Sequence, residues 1–189
     1  MKGFENHKAK LVTDNEVITV IDWQNENGSS NYFVRYIVDK QRGALIISGD
    51  LGDCISCWYN SLSINNLRNF VKNIPYWMGK FQCTTDDYDY DWEDIESDLN
   101  DIKAEYLNDI EDYDFTEEEI EEDFKEMLEI CEDLNFSNHM IYPNELTDLM
   151  EKYNPDWWES AFIDIGKRVS PRVYLWSDGF IQACNQLGF

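Results

Sequence analysis

Apolar positions along this chain change period as the sequence proceeds, and each period predicts a different element. Between residues 8 and 60 they alternate or form short β-branched runs: EVITVIDW at 16–23, NYFVRYIV at 31–38 and ALII at 44–47. Polar, glycine-containing clusters at 25–30 and 39–43 separate these runs at lengths suited to hairpin loops, so an antiparallel β-meander is predicted. From Ser63 the spacing becomes three and four. Ser63 reads as a helix N-cap, Leu67, Phe70, Val71 and Ile74 as one helical face, and Pro75 as the stop. Residues 76–83 are apolar without a clear period.

Two longer stripes follow. Trp92, Ile95, Leu99, Ile102, Tyr106, Ile110 and Tyr113 lie on one side of a helix over 92–112. Ile120, Phe124, Met127 or Leu128, Cys131 and Leu134 repeat the spacing over 117–134. Between them Thr116 and Glu119 have the capping-box form, which starts a new helix. Residues 144–153 form a short amphipathic helix, Trp157 and Trp158 open another helical stretch, and Ser170-Pro171 begins a last helix with Val173, Leu175 or Trp176, Phe180, Ile181, Cys184 and Leu187 inward. The expected fold class is α+β: an N-terminal antiparallel β-meander packed with helices, plus a protruding acidic antiparallel helical hairpin. At 189 residues and 43% hydrophobic, one domain over 1–189 is expected, with the hairpin inserted at about 86–136.

Charge gives the hairpin its interest. Of 39 carboxylates, 24 fall between Asp86 and Asp133, against Lys103 and Lys125 alone, so these 48 residues carry −22 of the total −24. A disordered acidic tail would lack the apolar stripes. The two predicted helices hold 19 acids and two lysines, −17, over a length of about 31 Å. Duplex DNA of that length presents about 18 phosphate charges. A solvated acidic face is the plainer reading, but like charges at i,i+4 cost a helix a few tenths of a kcal/mol per pair, and almost no lysine relieves them here.

Other motifs carry less. Cys54-Ile-Ser-Cys57 stands alone, and with Cys83, Cys131 and Cys184 scattered it reads as core rather than as a zinc or redox site. Residues 49–53, GDLGD, read as a tight turn rather than a phosphate loop, because their acids repel phosphate. Asp87, Asp89 and Asp91 open like a calcium loop, yet Trp92 occupies the glycine position. No catalytic constellation, metal site or cofactor is expected, and direct nucleic-acid or membrane binding is disfavoured by the charge. Five cysteines and the lack of an export or spanning segment point to the cytoplasm. Trp23, Trp58, Tyr59, Trp77, Trp157, Trp158 and Trp176 are more aromatics than so small a core is expected to hide entirely, so a core rich in aromatics accounts for most of them and a contact surface for some.

Residues 29–60, SSNYFVRYIVDKQRGALIISGDLGDCISCWYN, with Tyr174-Leu-Trp176, resemble an uncharacterised family of bacteriophage and prophage proteins. That resemblance implies a phage origin, the cytoplasm of an infected bacterium, and an anti-defence role of the kind played by anti-restriction and anti-CRISPR proteins that imitate DNA. The expected function is then non-enzymatic inhibition of a host defence nuclease, with a Cas9-type effector favoured. The partner-binding residues expected are Asp98, Asp101, Glu105, Asp109, Glu118, Glu121, Glu122 and Glu129. Two other functions stay open: a protein-interaction module using the neutral aromatic body, and an enzyme or sponge acting on a defence signal. The oligomeric state is not readable.

Overall fold

The structure, a computed structural model, describes residues 4–29, 31–132 and 142–189. Its class is α+β, and the chain divides into two compact units, Met1–Asp87 with Ser170–Phe189, and Tyr88–Val169.

In the first unit six strands form a pure meander in the order β1-β2-β3-β4-β5-β6: β1 (His7–Asp14), β2 (Ile18–Asn25), β3 (Val34–Asp39), β4 (Ala44–Gly49), β5 (Cys54–Cys57) and β6 (Phe81–Thr84). Pairing is antiparallel throughout and sets alternate residues on one face, where Ile21, Trp23, Tyr36, Val38, Leu45 and Ile47 are buried. On the other face Asp22 pairs across the strands with Arg35, whose Nε and Nη2 donate to its two carboxylate oxygens at 2.6 and 2.9 Å. Gly49 ends β4, and the Gly52 N–H closes a turn on the Gly49 carbonyl at 3.0 Å, as the GDLGD sequence implies.

Helix α1 (Ile64–Lys72) starts where Ser63 accepts from the Asn66 N–H. Pro75 does more than stop it. Asn73 closes α1 and caps a short α2 (Ile74–Met78), with the proline in its first turn, before β6 begins; the segment without a clear period thus holds a helix and a strand. The last helix, α6 (Pro171–Leu187), packs along β1, β2 and β3. Its Trp176 carbonyl accepts from the buried Tyr36 hydroxyl at 3.0 Å, and Ser177 Oγ donates to the Val71 carbonyl at 2.8 Å. At the sheet edge Gln186 Oε1 accepts from the Ala9 N–H while its Nε2 donates to the His7 carbonyl, the pairing an added strand would make. The tryptophans of this unit are core: Trp23, Trp77 and Trp176 are wholly buried and Trp58 nearly so, whereas Tyr59 is 78% exposed.

His7 is 5% exposed, set between the rings of Phe4 and Trp23, and burial holds its pKa below the usual histidine value. Charging it in the folded state is therefore penalised. Stability from the neutral ring is complete above about pH 6.5 and drains away as pH falls toward the lowered folded value, by at most about 1.4 kcal/mol per pH unit. Urea unfolding at several pH values should show this slope in the wild type and lose it in His7→Phe; parallel curves for the two proteins would count against it.

The second unit begins and ends in a two-stranded ribbon, β7 (Tyr88–Tyr90) against β8 (Lys167–Val169), so the chain enters and leaves it side by side. Between lie α3 (Trp92–Asn108), α4 (Glu117–Glu132) and α5 (Asn144–Tyr153), with 3-10 turns at Ile110–Asp112, Trp157–Glu159 and Ala161–Asp164. One core joins them, built on Ile95, Leu99, Ile102, Ile120, Phe124 and Met127 with Leu146, Met150 and Phe162. The stripes read from sequence supply the α3 and α4 halves of it. Leu134, Asp133 and the expected hairpin end near 136 lie outside the described residues. Trp157 and Trp158 form a single turn rather than a helical stretch, and Trp158 is half exposed.

Helix α3 stops short of the expected 112, at Asn108, and continues only as the turn Ile110–Asp112. Asp109, Glu111 and Asp112 sit there at the negative end of the helix dipole, where acids disfavour further helix. Among the described residues, no helix is long and apolar enough to cross a membrane.

Candidate functional site: an acidic unit with its cations committed

The division into units sharpens the charge asymmetry. Residues 88–169 hold 28 carboxylates and five cationic side chains, a net −23, while the remainder holds 11 and 10, a net −1. All five cations of the acidic unit are engaged within it: Lys103 with Glu121 at 3.0 Å, Lys125 with Glu129 at 3.4 Å, Lys152 with Asp123, Lys167 with Asp164 at 2.8 Å, and Arg168 with Asp94 and Asp98. Helices α3 and α4 carry 15 acids and two lysines, −13 over about 25 Å, against about 15 phosphate charges on duplex DNA of that length. The acids of the intervening turn restore −17 for residues 92–132.

Some of these acids hold the unit together. Asp91 caps α3, accepting from the Glu93 and Asp94 N–H groups, and Asp89 lies in β7 opposite Arg168. The acids that resembled a calcium loop are thus spread over a strand and a helix cap. At α4 the capping box is complete: the Thr116 N–H donates to Glu119 Oε2 at 2.9 Å and the Glu119 N–H to Thr116 Oγ1 at 3.2 Å. The bonds that Glu119 Oε2 accepts from the Thr116 N–H and from the Thr116 hydroxyl lower the Glu119 pKa. Asp123 accepts from Lys152 and from the Tyr153 hydroxyl, tying α4 to α5.

Asp98 is the expected partner residue whose position differs most from a solvated acid. It is half-buried and accepts from both Arg168 terminal nitrogens at 2.7 and 2.9 Å and from the Gly166 N–H at 2.8 Å. The bonds from Arg168, first, and from Gly166 hold its carboxyl below the usual aspartate range. Gly166 is at φ +67°, and a Cβ there would lie 2.1 Å from Ile95 Cγ1, so only glycine brings this segment so close to α3. Asp98 is therefore a clamp between α3 and β8.

The other seven expected residues are exposed. They fall into two sets. Asp101, Glu105 and Asp109 follow Asp98 at steps of three and four, and the four acids share a line of two adjoining clefts of ≈ 440 and ≈ 400 Å³. These clefts have Ile102, Glu105 and Ala161 in common and run between α3 and residues 154–168. Glu118, Glu121 and Glu122 line a different depression of ≈ 360 Å³ with Lys103, Lys125 and Leu128, and Glu129 stands beyond it on α4. Among the described residues, Asp101, Glu105, Asp109, Glu118 and Glu122 take part in no ion pair or side-chain hydrogen bond.

Sequence reasoning missed the opposite wall of the clefts. Asn154, Ser160, Ala161 and Phe162 approach α3 through the fold alone, and Tyr106 and Tyr113, counted as stripe residues, line the second cleft. Cys54 and Cys57 lie on opposite faces of β5, the first buried; burial pushes its thiol pKa up to about 12, which leaves it unreactive near neutral pH. No family model matches the chain, and no curated protein or solved structure shows significant similarity to it.

Proposed function

We propose that the protein is a non-enzymatic inhibitor that imitates nucleic acid, its acidic unit occupying the basic groove of a nucleic-acid-binding protein. One observation carries this reading: a folded 82-residue unit of net −23 whose every cation is already paired internally, leaving carboxylates on α3 and α4 with no partner of their own among the described residues. Such a field attracts a lysine- and arginine-lined groove and releases the groove's bound anions, as phosphates do in reverse. The resemblance to phage proteins directs the choice of target to a host defence nuclease, with a Cas9-type effector first, since it holds its guide, target and PAM duplex in positive channels.

The test uses acids that serve no structural bond. Asp101→Asn, Glu118→Gln, Glu122→Gln and Glu126→Gln together should weaken inhibition of a Cas9-type nuclease by about tenfold or more, and wild-type inhibition should fall between about 50 and 200 mM salt. Circular dichroism should be unchanged. Inhibition that survives both changes would remove mimicry and move the contact to the near-neutral unit.

A further inference from the structure

The cleft at the C-terminal end of α3 differs from the rest of the acidic surface because it is aromatic. Its ≈ 400 Å³ is lined by Tyr106 and Tyr113, whose ring centroids are 4.8 Å apart, by Ile102, Ala161 and Phe162, and by the carboxylates of Glu105 and Asp109. Tyr106 is fixed: its hydroxyl donates to the Tyr153 carbonyl at 3.3 Å and its ring meets the Tyr153 and Phe124 rings. Tyr113 is 41% exposed, packed against Tyr106 and stacked with Phe115 at a centroid distance of 6.4 Å, so part of its ring reaches solvent at the cleft. Glu105 and Asp109 stand one helical turn apart. Neither has an ion pair among the described residues, because the five cations of the unit are taken elsewhere.

We propose that this cleft is an arginine anchor: it takes the guanidinium of one arginine from the protein whose basic surface the acidic unit binds. The inference rests on that reading and names the chemistry of its central contact. A guanidinium is planar and weakly hydrated, stacks on an aromatic ring and offers a fork of N–H donors, whereas an ammonium is a compact, strongly hydrated point charge. Tyrosine rings supply the stacking surface, two carboxylates the acceptors, and the exposed Ala161 with the rim of Ile102 receives the methylene stem. The adjoining cleft lacks this combination. It contains no aromatic residue, and of its four acids Asp98 and Asp164 are already held by Arg168 and Lys167, which also place two cations in it beside Asp101 and Glu105, unpaired among the described residues. An arginine seated against tyrosine in a partly desolvated pocket is the kind of contact that dominates an interface.

The full-length protein is tested without any partner, by NMR titration with N-acetyl-arginine-N′-methylamide. Saturable shifts should appear on the Tyr106 and Tyr113 ring signals at millimolar concentrations, with N-acetyl-lysine-N′-methylamide about fivefold weaker. Glu105→Gln with Asp109→Asn should weaken arginine binding about tenfold, and Tyr113→Leu should reduce the preference for arginine over lysine. Glu145→Gln with Asp148→Asn, exposed on α5 and outside the cleft, should change binding less than about twofold. Lack of saturation by about 50 mM, equal binding in the cleft variant, or tighter binding of lysine amide or spermidine would overturn the proposal. Nucleic-acid mimicry has its own salt and neutralisation assay, so a failure of the anchor is told apart from a failure of the mimicry it rests on.

Discussion

Gly179→Ala should destabilise the protein by about 2–3 kcal/mol, although alanine is the better helix former by about 1 kcal/mol. A Cβ at position 179 would lie 2.4 Å from the Tyr36 hydroxyl and 3.2 Å from Trp23 Cδ1 and Nε1, all inside the packed interface of α6 with the sheet. Both rings are wholly buried, and the Tyr36 hydroxyl is held by the Trp176 carbonyl, so it cannot rotate away without leaving that carbonyl unsatisfied. The helix must lift instead, and the close packing of α6 is lost with it. Tyr36→Phe provides the control. Alone it loses one buried hydrogen bond, about 1 kcal/mol, but it also removes the atom the new methyl strikes. In urea unfolding the double variant should therefore be less destabilised than the sum of the singles by about 1 kcal/mol or more. Additive losses would show that the methyl is absorbed elsewhere.

That glycine illustrates what the sequence does and does not display. The α6 helix was legible from Ser170-Pro171 and its apolar spacing, as α5 was from 144–153 and the start of α4 from Thr116 and Glu119, because these signals are local. Which helix position must be glycine was not legible, since the reason is a tyrosine 143 residues away in sequence. The same distinction runs through the site. Asp98, Asp101, Glu105 and Asp109 could be placed on one line of α3 from their spacing alone. Nothing local distinguished Asp98, which Arg168 and Gly166 consume, from Asp101, which remains exposed. A hint did exist for the aromatic cleft: along the α3 stripe the residues change from the buried aliphatics Ile95, Leu99 and Ile102 to Tyr106 and the exposed Tyr113. Tyrosines at the end of an aliphatic stripe suit a surface that is half apolar and half wet.

The consumption of Asp98, Glu119 and Asp123 by structure also explains how so acidic a unit folds. Opposite charge is placed where it closes the fold: Arg168 at the ribbon, Lys152 and the Tyr153 hydroxyl at α5, and Lys103 between α3 and α4. Most of these pairs are partly exposed, and exposed pairs contribute at most about 1 kcal/mol each. The main stabilisation must come from the apolar core, and the surface acids act against it through mutual repulsion. Function by mimicry would thus be carried by a core that holds the carboxylates at fixed spacing.

Phe124→Ala tests that dependence by removing packing while leaving the charge untouched. Phe124 is 1% exposed and lies against the rings of Tyr106, Tyr153 and Phe162 at centroid distances of 6.2, 5.2 and 6.2 Å, at the meeting of α3, α4, α5 and the 154–164 segment. Truncating a buried phenylalanine destabilises by about 3–5 kcal/mol, a large part of the total stability of an ordinary domain. In a unit of −23 nothing offsets the loss, because separation of the helices also relieves repulsion. Hydrogen exchange in α3 and α4 should accelerate by about two orders of magnitude or more. If rigid spacing of carboxylates is what a basic groove recognises, inhibition should fall at least as far as in the fourfold neutralised variant, with net charge still −24. Full inhibition by Phe124→Ala, with its loosened exchange demonstrated, would mean that the acidic unit acts as a flexible polyanion. The fold would then matter for holding the acids in one chain segment rather than for their geometry.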